Sequence, residues 1–229
     1  MKLKSIILTG LDFFLPNSCQ ACGSKILLEE VLLCRDCFSR LEAVNEDFAA
    51  EQYERHFSED AFISGFCSMY KFEKDSPLQT ILHNMKYRNN FRNGINLGQL
   101  VAGQNKDRLI SWNPDLIVPV PLHRVKKAER GYNQAFYIAK GISRNVNVNL
   151  NDRIMRRKKL TETQTKLHID ERKVNVENAF EVRNIARIKD KTILLVDDVI
   201  TTGSTVNECA KVLLSSGAKK IYAASVALA

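Results

Sequence analysis

Short apolar runs alternate with amphipathic stretches over the second half of the chain. The apolar runs predict strands, and they are DLIVPVP, VNVNL, TILLV and KKIYAASVALA. Between them, NQAFYIAKGIS and the stretch 202–215 place apolar residues at helical spacing, and Gly217 follows the second stretch as a C-cap. Strands that alternate with helices imply right-handed crossovers and a mostly parallel, twisted sheet flanked by helices, which is an α/β fold.

The first half of the chain has a less regular pattern. AFISGFCSMYKFE alternates and is rich in aromatic residues, so it predicts a strand or two. Ser76 followed by Pro77 is typical of an N-cap with proline at the first helical position. The apolar face of the helix that follows is made by Leu78, Ile81, Leu82 and Met85. A second helix is predicted from Gly94 to Leu109.

Residues 38–60 are polar and charged, which suggests a helix, a connector and the domain boundary. We therefore expect an N-terminal helix and cysteine module with its connector over 1–60, and a second domain over 61–229. At the N-terminus, helical spacing predicts an amphipathic helix docked on the body, with Leu3, Ile7, Leu11 and Phe14 on its apolar face. A signal peptide is the alternative, but Asp12 interrupts the apolar run and no small-residue cleavage site follows.

The composition is that of a globular protein. The 229 residues are 45% hydrophobic and 26% charged, enough for one well-cored domain with a small appendage. No apolar run reaches the roughly eighteen residues that a membrane-spanning helix needs. We therefore expect no integral membrane segment and a cytoplasmic protein.

Four of the six cysteines form two C-x-x-C pairs, Cys19 with Cys22 and Cys34 with Cys37. Two such pairs can supply four thiolates to one tetrahedral Zn²⁺ in a closed, structural site, and binding would drive folding of so small a module. The insert GSKILLEEVLL predicts a hairpin between the pairs. A redox dithiol is the alternative, although paired C-x-x-C without a secretion signal favours metal.

Positive charge is concentrated in one part of the chain. Residues 118–173 carry fourteen Lys/Arg against five Asp/Glu, a net of +9, whereas the whole chain has a formal net charge of +8. Such an excess favours polyanions such as phosphates, pyrophosphate or nucleic acid. The alternative is a solvated loop whose lysines only keep it soluble.

The clearest chemical pattern is ILLVDDVITTGST, in which two carboxylates end a strand and a small hydroxyl-rich loop follows. Asp197 and Asp198 are acceptors suited to the vicinal hydroxyls of a ribose, directly or through a metal. The loop 201–205 lies where a helix begins, so backbone N–H groups attract a phosphate, and Gly203 allows the backbone to curl around it. The loop has neither the lysine nor the glycine spacing of a P-loop. The simpler alternative is a helix-capping acidic pair.

This pattern resembles the phosphoribosyl-pyrophosphate (PRPP) motif of type I phosphoribosyltransferases. Together with the two cysteine pairs, HNMKYRNN, PVPLHRVKKAERGYNQA and TETQTKLHIDERKVNVENAF, it is similar to the ComF family over nearly the whole chain. Two departures are Gln20, where a proline is common, and the Asn-rich stretch after Lys86-Tyr87-Arg88. The resemblance implies a type I phosphoribosyltransferase core with a small N-terminal zinc-ribbon module of four cysteines.

The resemblance also implies roles for the site residues. Asp197 and Asp198 hold the ribose, and the 5-phosphate lies on Thr201, Thr202, Gly203, Ser204 and Thr205. The pyrophosphate lies on the loop after the first core strand, Leu122, His123 and Arg124, with Arg130 nearby. Mg²⁺ bound with PRPP neutralises the diphosphate with help from Arg124, and the basic segment 156–173 closes as a lid. The region around Lys86 and Tyr87 chooses the acceptor.

Two functions remain open on the sequence. The first is a Mg²⁺-dependent phosphoribosyltransferase that acts on PRPP and an unidentified base or nucleotide derivative. The second is a non-catalytic partner that binds single-stranded DNA, uses the ribose-phosphate pocket for binding only and works with competence helicase machinery, because ComF relatives are associated with DNA uptake or DNA utilisation. The basic segment contains few aromatic residues, which argues against a dedicated DNA module.

Overall fold

The computed structural model describes residues 18–26, 32–57, 62–87, 90–159 and 178–229. Its main sheet has four parallel strands in the order β1-β6-β5-β2, and a separate ribbon pairs β3 with β4 antiparallel. The strands are β1 (Phe66–Lys71), β2 (Leu116–Pro119), β3 (Met155–Arg157), β4 (Phe180–Val182), β5 (Thr192–Ile200) and β6 (Lys220–Leu228). The predicted parallel sheet is confirmed.

Helices cover both faces of this sheet. In the described residues they are α1 (Arg35–Ser39), α2 (Glu46–Phe57), α3 (Pro77–Tyr87), α4 (Phe91–Gln104), α5 (Lys106–Trp112), α6 (Arg124–Arg130), α7 (Gln134–Val146) and α8 (Ser204–Ser215). A short 3-10 turn covers Ile185–Arg187. None of these helices is both long and apolar enough to cross a membrane.

Strand β5 is buried on both sides, which explains its continuous apolar run. Leu194 and Val196 pack into the core that α3, α4 and α7 share, whereas Ile193 and Leu195 pack into the core formed with α2 and α8. Successive strand residues point to opposite faces of the sheet. Asp197 therefore lies on the same face as Ile193 and Leu195, and Asp198 lies on the same face as Leu194 and Val196. The strand thus delivers one carboxylate toward each helical layer.

Two glycines set the distance between α4 and α7. A Cβ on Gly98 would lie 2.0 Å from the Ile138 carbonyl oxygen, and one on Gly141 would lie 2.1 Å from the Ile95 carbonyl oxygen. Only the absence of both side chains lets the two backbones approach this closely. Helix α3 begins as predicted, since the Gln79 amide donates to the Ser76 hydroxyl at 3.2 Å and all four residues of its apolar face are buried.

Several predicted bounds differ from the structure. The helix predicted over 94–109 is two helices that meet at Asn105, whose side chain donates to the Val101 carbonyl at 3.1 Å and competes with the backbone. VNVNL forms only a single parallel bridge, Leu150 with Ile117, because β2 is four residues long. Helix α6 was not predicted.

The start of the basic segment forms strand β3 of the β3–β4 ribbon, which the sequence did not predict. Arg156 lies opposite Glu181 in the β3–β4 ribbon and forms an ion pair with it, and Lys158 lies 3.6 Å from the same carboxylate. The Arg157 guanidinium lies 5.2 Å from the centre of the Phe180 ring. Contacts between the two strands therefore hold the start of this segment in place, although its sequence has no apolar periodicity. Residues 160–173 of the predicted lid lie outside the described residues.

The N-terminal part packs directly on the sheet domain. Cys19 and Cys37 are buried in the same core as α3 and α4, and Phe57 at the end of α2 is buried in the opposite core. The amphipathic helix predicted from Leu3 to Phe14 and the turn of the predicted hairpin lie outside the described residues. The domain boundary at residue 60 stays a prediction.

Candidate functional site

The two predicted phosphate loops lie at the same edge of the sheet. Strands β2 and β5 are parallel neighbours in which Pro119 pairs with Val196, and the Val120 amide donates to the Val196 carbonyl at 2.8 Å. Ligands bind beyond the carboxyl ends of strands in open α/β sheets. The loop 120–123 that follows β2 and the loop 201–203 that follows β5 therefore face one crevice, with the two aspartates beside it.

The carboxylates of Asp197 and Asp198 are oriented by the local backbone. The Asp198 amide donates to Oδ1 of Asp197, and the Val199 amide donates to Oδ1 of Asp198, each at 2.9 Å. The ammonium group of Lys86 lies 3.3 Å from Oδ2 of Asp198. Lys86 belongs to the last turn of α3, so this ion pair joins the helix to the strand end.

The pKa values of the two aspartates are shifted in opposite directions. Burial, and then the neighbouring Asp198 carboxylate, raise the pKa of Asp197 well above its usual range. Burial also acts to raise the pKa of Asp198, but Lys86 and hydrogen bonding outweigh it, so the pKa of Asp198 lies below its usual value. The pair therefore combines one carboxyl group whose ionised form is favoured with one whose protonated form is favoured.

Among the described residues, Lys86, Arg130 and Arg157 lie close enough to the aspartate pair to interact with its charge, and Lys126 lies close to these three cations. Burial and then Arg157 and Arg130 lower the pKa of Lys126, which shows that these positive groups lie close enough to repel one another. Burial lowers the pKa of Arg157 as well, against the attraction of Cys209 and Asp197. Cations held together in this way favour an anion between them.

The loop after β5 has the conformation that the sequence predicts. Gly203 has φ of +69° and precedes α8, and the Asn207 amide donates to its carbonyl at 2.8 Å. The hydroxyl oxygens of Thr202 and Ser204 lie 2.9 Å apart. The first amides of a helix have no intrahelical acceptor, so those of α8 can bind a phosphate. A Cβ on Gly203 would lie 2.7 Å from the Phe57 ring, so α2 packs tightly against this loop.

The three residues predicted to bind pyrophosphate after β2 differ in exposure and in hydrogen bonding. His123 begins α6, where its Nδ1 accepts from the Val125 amide at 3.3 Å, so its ring caps a helix. Leu122 is half-buried and Arg124 is exposed. The roles of these three residues stay predictions.

Tyr132, in the turn between α6 and α7, ties that turn to α3. Its hydroxyl donates to the carbonyl oxygen of Met85, the residue before Lys86, and burial raises the pKa of Tyr132 to about 12. Asn133 donates to the Val120 carbonyl at 2.9 Å. These contacts fix the last turn of α3 beside the end of β2.

Sequence reasoning named Lys86 only as part of the acceptor region and Arg157 only as part of the lid. The structure places both next to the aspartates. No local pattern marks either residue, because Lys86 meets its partner across the fold and Arg157 is positioned by pairing of β3 with β4.

The four predicted cysteine ligands form one cluster in which every pair of sulfur atoms lies within 4.8 Å. The Sγ atoms of Cys22 and Cys34 are 3.7 Å apart, and a tetrahedral Zn²⁺ with Zn–S bonds of about 2.3 Å places its sulfurs about 3.8 Å apart. The Ser24 hydroxyl lowers the pKa of Cys22 to about 6, whereas burial and the neighbouring thiols raise the pKa of Cys37 to about 12. The cluster fits a metal such as zinc, which would favour the ionised form of all four.

Comparison with known proteins identifies the family of the chain. The phosphoribosyl transferase domain family matches residues 92–229. Competence protein F of Haemophilus influenzae is 36% identical over 150 residues, which are 63% of this chain and 65% of that protein. DNA utilization protein YhgH of Escherichia coli is 32% identical over 148 residues, 63% of this chain and 64% of that protein. The matched part of the chain thus spans slightly less than two thirds of the length of these two relatives.

A more distant relative matches more of the chain. Competence protein ComFC of Bacillus subtilis is 24% identical over 202 residues, 87% of this chain and 72% of that protein. Among solved structures, a purine phosphoribosyltransferase from Pyrococcus horikoshii Ot3 is 18% identical over 58% of this chain and 73% of that chain, with a TM-score of 0.38. The family match, the parallel sheet and the cysteine cluster confirm the predicted fold class and the resemblance to ComF proteins. The chain belongs to the phosphoribosyl transferase domain family.

Proposed function

We propose that the protein binds PRPP and transfers its phosphoribosyl group, with pyrophosphate as the leaving group. The observation that carries the proposal is the joint placement of a carboxylate pair, a glycine loop at a helix start and a cluster of cations at one sheet edge. PRPP has matching parts in the same order: a 5-phosphate, a ribose diol and a diphosphate.

The 5-phosphate is assigned to the loop Thr201 to Thr205. Gly203 lets the backbone turn toward the ligand, the first amides of α8 donate to the phosphate oxygens, and the hydroxyls of Thr202 and Ser204 lie close enough together to share it. The ribose hydroxyls then lie next to the end of β5, where ionised Asp198 accepts from them. Asp197 is the second acceptor, and a ligand cation beside it would favour its ionised form against the raised pKa.

The diphosphate is assigned to the cationic side of the aspartate pair. Arg130 and Lys126 of α6, together with Lys86, would surround it, and Arg157 lies on the ribbon that leads into the predicted lid. Arg124, exposed at the start of α6, is the further candidate that the sequence indicates. Mg²⁺ bound with PRPP would neutralise charge on the leaving diphosphate, and carboxylate oxygens are ligands that it accepts.

In the proposed reaction, the bond from C1 of the ribose to the diphosphate oxygen breaks and a bond from C1 to an acceptor nucleophile forms. The electron pair of the broken bond leaves with pyrophosphate, and the acceptor, a base nitrogen in the simplest case, loses its proton to solvent. Positive charge develops on the ribose in the transition state, so exclusion of water by a closing lid would protect it from hydrolysis.

Calorimetric titration with PRPP and Mg²⁺ tests the binding half of this proposal. We expect saturable binding that Asp197→Asn and Asp198→Asn abolish and that Asp152→Asn, a change at an exposed carboxylate, leaves intact. A wild-type protein that binds no PRPP, or an Asp198→Asn variant that binds it normally, contradicts the assignment. Pyrophosphate release across a panel of bases, nucleosides and single-stranded DNA then tests turnover.

A second candidate function is binding of single-stranded DNA, in line with the names of the competence and DNA utilization relatives. An observation that supports it is the exposure of two aromatic rings, one at the end of α3, next to Lys86 in the chain, and one at the start of α4. Tyr87 is 66% exposed and Phe91 is 40% exposed, and the Phe91 ring lies 5.1 Å from that of Tyr137. Exposed rings beside positive charge are the features on which single-stranded bases stack.

Salt dependence separates the two functions. Oligothymidylate bound across the basic surface should lose affinity steeply between low and moderate salt because several phosphates release counterions. PRPP at one compact site should respond less steeply. Tyr87→Ala and Phe91→Ala should weaken oligonucleotide binding; equal affinity of these variants and wild type would exclude stacking at this surface.

A further inference from the structure

The cysteine cluster contacts the fold through one side chain that is not a metal ligand. Gln20 lies between Cys19 and Cys22, and its Oε1 accepts from the side-chain amides of Asn90 at 2.9 Å and Asn93 at 3.1 Å. Its backbone carbonyl accepts from the side-chain amide of Asn84 at 3.0 Å. Three asparagines from two helices thus converge on one residue.

Gln20 is itself fixed by the module to which it belongs. Its backbone amide donates to the Leu32 carbonyl at 2.9 Å, and its Nε2 donates to the Ser18 carbonyl at 3.1 Å. The described contacts therefore use its backbone and side-chain donors within the module and its acceptors on the helices. Because Gln20 is bonded both to the cysteine module and to the two helices, it fixes the position of the helices relative to the module.

The asparagines flank the residue that pairs with Asp198. Asn84 precedes Lys86 by two positions in α3, and Asn90 and Asn93 lie at the start of α4. Asn90 occupies the N-cap of α4 but makes no capping bond to that helix, whereas its side chain binds Gln20. Asparagine is a preferred N-cap residue because its side chain usually accepts a bond from the helix backbone. Here the Asn90 side chain binds Gln20 instead, which indicates that this contact matters for the position of α4.

We propose that Gln20 is a positioning residue of the PRPP site, which holds the ends of α3 and α4 so that Lys86 stays on Asp198. The inference rests on the proposed function and assigns the cysteine module a part in it. The module does not touch the ligand; it fixes the helix turn that carries the cation next to the ribose acceptor. Loss of the Gln20 contacts would free that turn without removing any thiol.

Gln20→Met and Gln20→Glu test this inference in the zinc-loaded protein. Methionine keeps the length of the side chain but removes the acceptor oxygen and the amide that donates to Ser18, whereas glutamate keeps the acceptor and loses only that donor. Both variants should retain the wild-type zinc content because all four thiols remain. Gln20→Met should speed hydrogen exchange at the amides of residues 84–87 and 90–93 and weaken PRPP binding about fivefold or more, and Gln20→Glu should restore both.

Each other result counts against the inference. Wild-type exchange rates in Gln20→Met would show that Gln20 does not hold the helix ends, and faster exchange with unchanged PRPP affinity would show that the helix ends do not affect the site. If the wild-type protein binds no PRPP, the proposed function fails, and the exchange rates alone then decide whether Gln20 anchors the two helices.

Discussion

Lys86 and Asp198 form an ion pair that joins the last turn of α3 to the carboxyl end of β5, with 3.3 Å between Nζ and Oδ2. The two side chains are 29% and 18% exposed, so solvent screens the pair only in part. Lys86 also lowers the pKa of Asp198, beside Asp197, whose pKa is raised by burial and by the Asp198 carboxylate. The ion pair therefore sets the asymmetry of the aspartate pair, and substitutions at the two aspartates should have different effects.

Asp197→Asn and Asp198→Asn should change the stability of the ligand-free protein in opposite directions. At pH 7, Asp197→Asn should raise the free energy of unfolding by about 1 kcal/mol because it removes a half-buried carboxyl group whose ionisation is disfavoured by burial and by the Asp198 carboxylate. Asp198→Asn should lower it by about 1–2 kcal/mol because Lys86 loses its partner. Urea denaturation of both variants measures this.

The effects of pH on these two variants have defined signs. The folded pKa of Asp197 is raised, so wild type loses stability as pH rises above the unfolded value of about 4, and the advantage of Asp197→Asn should grow from there until the raised pKa is passed. The folded pKa of Asp198 is lowered, so its contribution is present above about pH 4 and is lost as pH falls through the folded pKa. An Asp197→Asn variant less stable than wild type at pH 7 would contradict this account.

The sequence predicted those parts of the site that follow one another along the chain. TILLV, the two aspartates and the Thr-Thr-Gly-Ser-Thr loop are local, so strand, acceptors and helix start could be derived from spacing alone. Lys86 and Arg157 could not, because their positions depend on how α3 and the β3–β4 ribbon pack against β5. The contact of Phe57 with Gly203 likewise joins two distant segments, and no pattern near either residue indicates it.

Gly203→Ala should destabilise the protein and impair phosphate binding. Gly203 has φ of +69°, where a side chain costs about 1–2 kcal/mol, and the new Cβ would also lie 2.7 Å from the Phe57 ring. We expect a loss of about 2 kcal/mol or more in the free energy of unfolding. Gly103→Ala is the matched control, because that helical glycine has nothing within 4 Å and alanine should stabilise the helix by about 0.5–1 kcal/mol. Equal stability of the two variants would show that Phe57 and the loop do not constrain each other.

Metal analysis tests the cysteine cluster. We expect one zinc per chain in the purified protein and a loss of bound zinc when Cys34 and Cys37 are both changed to serine, because the cluster then keeps two thiols. Cys67→Ala is the control, since Cys67 is buried outside the cluster and the variant should retain its zinc. Wild-type protein without zinc, or a double variant with full zinc content, would exclude the site.

Tyr132→Phe should weaken the link between α3 and the turn that joins α6 to α7. The change removes a hydroxyl that donates to the buried Met85 carbonyl and leaves that oxygen without this partner, which should lower the free energy of unfolding by about 1–3 kcal/mol. Tyr87→Phe, at a ring 66% exposed, should have little effect on stability. Because Lys86 follows Met85, Tyr132→Phe should also reduce PRPP affinity, measured by calorimetry under conditions where the variant is fully folded. A folded Tyr132→Phe variant with wild-type affinity would show that the site does not depend on this hydrogen bond.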